Sequence, residues 1–239
     1  MKAALQFLTI LPVRASSSQP GASAVWFPFV GCLLGVAAAA LLHLPLGSIL
    51  ALLLLTVVTG ALHEDGLADV CDAVRAYRSR EKMTEILHDS RIGAHGTVAI
   101  VFSLLIRWQA LAHFRIDFNV WIFDNLTTSA WLLVPAALGI ARGLMVLLAA
   151  WTPAVGSGLG RDFRDSLPRS AAWLTAVQIT ILCFAGGWRA ALILIPLQLV
   201  ILAGTRRWFM ARLGGVTGDC LGFTCQLSEA AALVVFAWA

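Results

Sequence analysis

Long apolar runs separated by short polar segments set the pattern of this chain. From Ala15 to Leu62 no Asp, Glu, Lys or Arg occurs, a stretch more than twice the roughly 20 residues that one membrane-crossing helix needs, so it must fold back on itself. Split at their polar and Gly/Pro breaks, the apolar runs predict seven spans, near 25–42, 44–62, 97–113, 129–151, 171–187, 190–204 and 220–238. The segments between them differ in character: His43-Leu44-Pro45-Leu46-Gly47-Ser48 carries no full charge, whereas 63–96, 152–170 and 205–219 hold most of the charged residues. The expected fold is all-α, a polytopic membrane-embedded helical bundle of about seven spans in a single domain over 1–239, with its polar chemistry in 63–96. The apolar run in residues 1–14 is too short to span and lacks a small-residue cleavage site, which predicts an interfacial or re-entrant helix rather than a cleaved signal peptide.

Composition agrees that lipid is the solvent. Hydrophobic residues make up 59% and charged residues only 13%, with mean hydropathy +0.85, against about 25% charged residues in soluble domains. Cys32, Cys71, Cys183, Cys220 and Cys225 form no CxxC pair, so neither a disulfide framework nor a structural zinc site is signalled. The net charge of +4 has a source other than nucleic-acid binding. With the amino terminus inside, Lys2, Arg14, Arg75, Arg78, Arg80, Lys82, Arg91, Arg161, Arg164, Arg169, Arg206, Arg207 and Arg212 fall on the cytoplasmic side, against Arg115 and Arg189 on the other. No internal repeat is evident, which argues against an inverted-repeat transporter.

The carboxylates are scarce and clustered. Seven of thirteen lie between Glu64 and Asp89: Glu64, Asp65, Asp69, Asp72, Glu81, Glu85 and Asp89. A helix places Asp65, Asp69 and Asp72 at i, i+4 and i+7 on one face. Such carboxylates repel one another unless a divalent cation or a basic partner neutralises them, and Mg²⁺ suits hard oxygen ligands. Glu64 adjoins this face and is a metal candidate with it. A charged segment between spans is about as often plain solvated surface; Gly66 and Ala68 tip the reading toward function, because small residues among the carboxylates let a backbone or phosphate come close. Glu81 and Glu85 read as facing water or pairing with Lys82.

Asp89-Ser90-Arg91-Ile92-Gly93-Ala94-His95-Gly96 packs a carboxylate, a hydroxyl, a guanidinium and an imidazole before a span. Arg91 offers bidentate phosphate recognition, and His95 a hydrogen-bond donor or proton carrier. Arg107, Arg142 and Glu229 lie at lipid depth, where a charged group facing hydrocarbon costs about 2.5–3.5 kcal/mol on insertion scales. Arg107 reads as snorkelling or as a structural pair. Arg142, within Gly139-Ile140-Ala141-Arg142-Gly143, reads as an anion contact, and Asp219 and Glu229 lie near one helix face about three turns apart.

At these residues the chain resembles the bacterial cobalamin synthases, the adenosylcobinamide-GDP ribazoletransferase family. The likeness runs nearly end to end, through Phe7 to Val13, Phe27 to Gly31, His63 to Asp72, Asp89 to Gly96, Gly156-Ser157-Gly158-Leu159-Gly160 and Thr217-Gly218-Asp219; it departs from the family at Phe223-Thr224-Cys225 and in the charged stretch Arg161 to Asp165. The resemblance implies a Mg²⁺-dependent late step of cobalamin biosynthesis at the bacterial inner membrane, with the active site facing the cytoplasm. In that step α-ribazole, or its 5′-phosphate, displaces GMP from adenosylcobinamide-GDP. It further implies that Asp65, Asp69, Asp72 and Asp89 are metal and catalytic carboxylates. On physical grounds Asp69 or Asp89 is expected to take the ribose hydroxyl proton, and Arg91 and His95 to stabilise the departing GMP. Ser90, Arg91, Arg142, Asp219 and Glu229 are the expected substrate contacts. The expected partners are the two substrates and the bilayer, with homo-oligomerisation left open. Two alternatives stand beside this one. A CDP-alcohol phosphotransferase shares the Asp-Gly-x-x-Ala unit but normally follows it with Arg, where this chain has Asp69. A transporter using Asp69, Arg142 and Glu229 would place its carboxylates near the bilayer midplane.

Overall fold

The computed structural model describes residues 1–13, 20–74, 79–87, 89, 91–114 and 129–238. Its α-helices are α1 (Lys2–Leu8), α2 (Phe27–Leu41, entered through a 3-10 turn at Pro20–Trp26), α3 (Gly47–Thr59), α4 (Leu62–Val74), α5 (Arg80–Leu87), α6 (Ala94–His113), α7 (Ala130–Trp151), α8 (Leu159–Asp165), α9 (Arg169–Cys183), α10 (Gly187–Arg212) and α11 (Gly218–Trp238). An all-helical bundle is what lipid demands, because each helix satisfies its own backbone hydrogen bonds.

The class is as expected, but among the described residues the count of spans is lower than seven. Five of the described segments are long and apolar enough to cross a membrane: Pro20–Leu41, Ala94–His113, Ala130–Trp151, Arg169–Arg212 and Gly218–Trp238; a sixth arises only if α3 and α4 together form one span. The runs at 171–187 and 190–204 belong to one apolar segment, interrupted only by the 3-10 turn Phe184–Gly186. The run at 44–62 yields the 13-residue α3, which bends by 86° into α4. We read α4 as lying outside the crossing helices, since it carries Glu64, Asp65, Asp69 and Asp72. The amino-terminal apolar stretch forms the seven-residue α1, with Ala4 and Leu8 buried.

The buried α7 is the axis of the bundle. α2 runs antiparallel along it, and a Cβ at Gly31 would stand 2.9 Å from the Gly139 Cα, so glycine permits this contact. On its other side α7 packs against α11, which in turn packs along α4. Here too the crossing is close: a Cβ at Gly66 would stand 3.0 Å from the Asp219 Cα, and one at Gly222 3.3 Å from the His63 Cα. This approach brings the acidic face of α4 beside Asp219.

The polar segments are stitched together at one end. The Val155 N–H donates to the Val216 carbonyl (3.0 Å) and the Val216 N–H to the Pro153 carbonyl (2.9 Å), joining the turn after α7 to the turn before α11. Arg206 Nε donates to the Trp151 carbonyl at 3.0 Å, and Arg164 Nε to that of Thr152 at 3.3 Å. The charged stretch at 161–165 is the surface helix α8, where Arg161 pairs with Asp165 (3.5 Å) and donates to the Gly156 carbonyl (2.9 Å). α8 is anchored inward by Phe163, whose ring lies 4.9 Å from Phe27 and 5.2 Å from Phe7.

Candidate active site

A partly enclosed cavity of about 540 Å³ opens at this end of the bundle. Three segments far apart in sequence line it: Leu62, His63 and Asp65 from α4; Gly156, Ser157, Leu159 and Gly160 from the turn into α8; and Thr217, Gly218, Asp219, Leu221 and Gly222 from the start of α11. Backbone proximity holds the last two together, since a Cβ at Gly160 would stand 2.9 Å from the Gly218 Cα. α5 contributes Arg80, whose guanidinium occupies the space beside Gly214. That space exists because Gly214 has φ +78° and no side chain, a conformation that glycine adopts without strain.

The acidic residues of α4 have distinct settings. Asp65 is exposed at the cavity rim and Asp219 is half-buried across from it, accepting from the Thr217 hydroxyl at 3.2 Å. Asp69 is half-buried one turn from Asp65. Burial, together with the charges of Asp65, Asp219 and Asp72, disfavours ionisation and raises its affinity for a proton. Asp72 is engaged elsewhere: its two oxygens accept from the Gly93 N–H (2.7 Å) and the Gly96 N–H (2.9 Å), capping the amino terminus of α6. Asp72→Ala is expected to cost about 0.5–2 kcal/mol of stability, as cap removals do, while turnover changes only a few-fold. Thermal denaturation in detergent together with an activity assay checks this.

Glu64, Arg142 and Glu229 lie inside the bundle, away from the cavity lining. Arg107 donates to Glu64 and to Glu229, both at 3.0 Å, and Arg142 pairs with Glu229. All four side chains are buried. Arg107 is therefore paired rather than snorkelling, whereas Arg142 faces a carboxylate of its own chain. Asp89 and Arg91 form an exposed bidentate pair, with Nη2 to Oδ2 at 2.7 Å, and the Arg91 side chain is 87% exposed. The guanidinium pushes the Asp89 carboxyl down to about 2, an environment unsuited to a base. His95 is exposed on the first turn of α6, and Ser90 lies outside the described residues. Of the residues singled out in the sequence, Asp65 and Asp219 thus line one cavity with Asp69 beside them, while Asp89, Arg91 and His95 stand apart from the lining. His63, Arg80 and Ser157 also line the cavity and were not singled out, although His63 and Ser157 lie within matched motifs; nothing local in the sequence distinguishes Arg80 from the other basic residues flanking the spans.

Among the described residues no three His, Cys, Asp or Glu side chains converge as a ready metal cage. Mg²⁺ does not require one, since it commonly takes one or two carboxylates and completes its octahedron with waters and substrate phosphates. Asp65 and Asp219 fit that donor set.

A helical membrane bundle with a carboxylate-rimmed cavity at one end can hold a phosphate ester at the bilayer surface. The family model described as cobalamin-5-phosphate synthase (CobS) matches residues 1–237. The adenosylcobinamide-GDP ribazoletransferase of Pseudomonas aeruginosa strain PAO1 is 38% identical over 98% of this chain and 96% of its own length. The enzymes of the same name from Pseudomonas entomophila and Pseudomonas paraeruginosa are 35% and 39% identical, over 97% and 98% of this chain and 95% and 96% of their own lengths. No solved structure matches the chain significantly. Fold, site and relatives together define a membrane-embedded transferase. The chain belongs to the cobalamin-5-phosphate synthase family.

Proposed function

We propose that this protein is an adenosylcobinamide-GDP ribazoletransferase, joining α-ribazole or its 5′-phosphate to adenosylcobinamide-GDP to give adenosylcobalamin or its 5′-phosphate and GMP, with Mg²⁺ required. The observation that carries this reading is the meeting of three motif segments, 63–65, 156–160 and 217–219, around one cavity with Asp65 and Asp219 in its lining. The cavity faces the cytoplasm of a bacterial inner membrane, the side on which the basic residues flanking the spans gather.

The ribose hydroxyl oxygen of α-ribazole forms a bond to the phosphorus that carries the cobinamide. The bond from that phosphorus to the bridging oxygen breaks, GMP departs with the electron pair, and the hydroxyl proton passes to Asp69. Asp69 suits this because its neighbours oppose its negative charge. Asp65 and Asp219 would hold Mg²⁺ at the rim. When bound, the ion neutralises phosphate oxygens and steadies the leaving group. Arg80 supplies positive charge in the lining, the role expected of Arg91 from its motif. The chain's main contribution is to position hydroxyl and diphosphate together.

Purified membranes incubated with adenosylcobinamide-GDP, α-ribazole and Mg²⁺ should release GMP and form the cobalamin product. A chelator should stop the reaction, and restored Mg²⁺ should recover it. Absence of product with both substrates present, from protein shown to be folded, overturns the proposal; chelator-resistant product formation overturns the metal requirement alone.

A further inference from the structure

The cavity lining changes character with depth. Its exposed rim carries the polar side chains of Asp65, Arg80, Thr84 and Ser157 beside Leu62 and Leu159, whereas its buried lining consists of Leu87, Met145, Leu213, Leu221, Gly222 and His63, apolar but for the one imidazole. Met145 lies six residues before the end of α7, about 9 Å along the helix, so the cavity reaches into the bundle. His63 is 1% exposed, and its Nε2 has no hydrogen-bond partner.

The two substrates bring three bulky groups to this site: a corrin ring, a guanine and a dimethylbenzimidazole. About 540 Å³ is a volume suited to one drug-sized or nucleoside-sized ligand, and the corrin macrocycle is far larger than a nucleoside. Guanine presents several donors and acceptors around its edge. Burying them against Leu87, Met145, Leu213 and Leu221 would leave most unsatisfied, at roughly 1–3 kcal/mol each. Dimethylbenzimidazole is apolar apart from one unsubstituted ring nitrogen, and His63 is the one polar side chain among the buried lining residues.

Resting on the ribazoletransferase reading, we propose that the buried floor formed by Leu87, Met145, Leu213, Leu221 and His63 is the specificity pocket for the base of α-ribazole. The ribose then lies at the Asp65 and Asp219 rim, and the guanosine and corrin of the donor stay at and beyond the mouth.

The test is a bump-and-hole series at Met145 in the full-length protein, with steady-state kinetics in both substrates and equilibrium binding of α-ribazole. Met145→Phe should raise KM for α-ribazole at least tenfold and leave KM for adenosylcobinamide-GDP within about twofold, since steric changes in an apolar pocket discriminate by roughly 10–200-fold. Met145→Ala should accept an α-ribazole analogue with an enlarged base that the wild type rejects. A rise in the donor KM alone, or no change in either, overturns the pocket assignment. Should Met145→Phe fail to fold, Leu87→Phe and the gain of function in Met145→Ala decide the matter. Binding of α-ribazole that Met145→Phe abolishes, without turnover by the wild type, would keep the pocket and defeat the transferase reading.

Discussion

Asp69→Asn is expected to lower turnover by about 10²–10⁴-fold, the usual contribution of a positioned general base, while the protein still inserts and melts close to wild type. Asparagine keeps the size and much of the hydrogen-bonding capacity of the side chain but cannot take a proton. Removing a carboxylate that Asp65, Asp72 and Asp219 all repel should, if anything, stabilise the apoprotein slightly. The expected signature is thus a catalytic collapse without a folding defect, read as kcat against the midpoint of thermal denaturation in detergent. KM for both substrates should move little, because asparagine preserves the shape and polarity that the bound substrates meet. Near-normal turnover in Asp69→Asn would remove this residue from the proton transfer and leave Asp65 and Asp219 as the remaining carboxylate candidates. The contrast with Asp72 is informative, since the two residues share a helix face and differ only in what meets them. Asp72 spends both oxygens on the amides of Gly93 and Gly96, so its loss is a matter of stability.

That contrast also marks how far the sequence could be read. The spacing of Asp65, Asp69 and Asp72 correctly placed them on one helix, and the apolar runs gave the helical class, because both depend on local periodicity. The division of labour among the three depends on α6 and α11, which approach from elsewhere in the chain and leave no local trace in 63–72. Gly66 is an instructive case: its smallness suggested close approach by a backbone or phosphate, and the neighbour is the backbone of Asp219. Arg91 looked like a phosphate ligand because its segment is dense in functional groups, yet Asp89, two residues before it, satisfies it at the surface. Arg80 is locally one more basic residue beside a span, and the left-handed turn at Gly214 gives it a place in the cavity. The span count suffered for a related reason, since apolar length alone does not reveal that α3 bends after 13 residues.

Glu229→Gln is the second substitution with a large expected effect, this time on stability. Glu64, Glu229, Arg107 and Arg142 form a set of two carboxylates and two guanidinium groups with no net charge, all buried. Glu229 is the hinge of the set because it meets both arginines. Neutralising it leaves two buried cations facing the single carboxylate of Glu64, and breaking a buried pair by removing one partner costs about 3–5 kcal/mol. Arg142→Met should cost a comparable amount, as Glu229 then loses one of its two partners. Combining Arg142→Met with Glu229→Gln should cost less than the sum of the single changes, because the double variant removes one charge of each sign and leaves Arg107 with Glu64; a coupling of about 0.5–3 kcal/mol is the usual range for residues in one network. Thermal and denaturant unfolding in detergent measures the cycle, and substrate KM values on the folded fraction supply the control. If Glu229→Gln melted like the wild type but lost affinity for adenosylcobinamide-GDP, the buried network would be a substrate-binding element after all. The geometry argues the other way, since Arg142 and Glu229 satisfy each other ten residues deeper along α11 than Asp219, about 15 Å at the helical rise, and neither lines the cavity where the diphosphate would sit. The same closure weighs against a transport pathway through Arg142 and Glu229, because an ion moving along it would first have to break a fully buried ion pair.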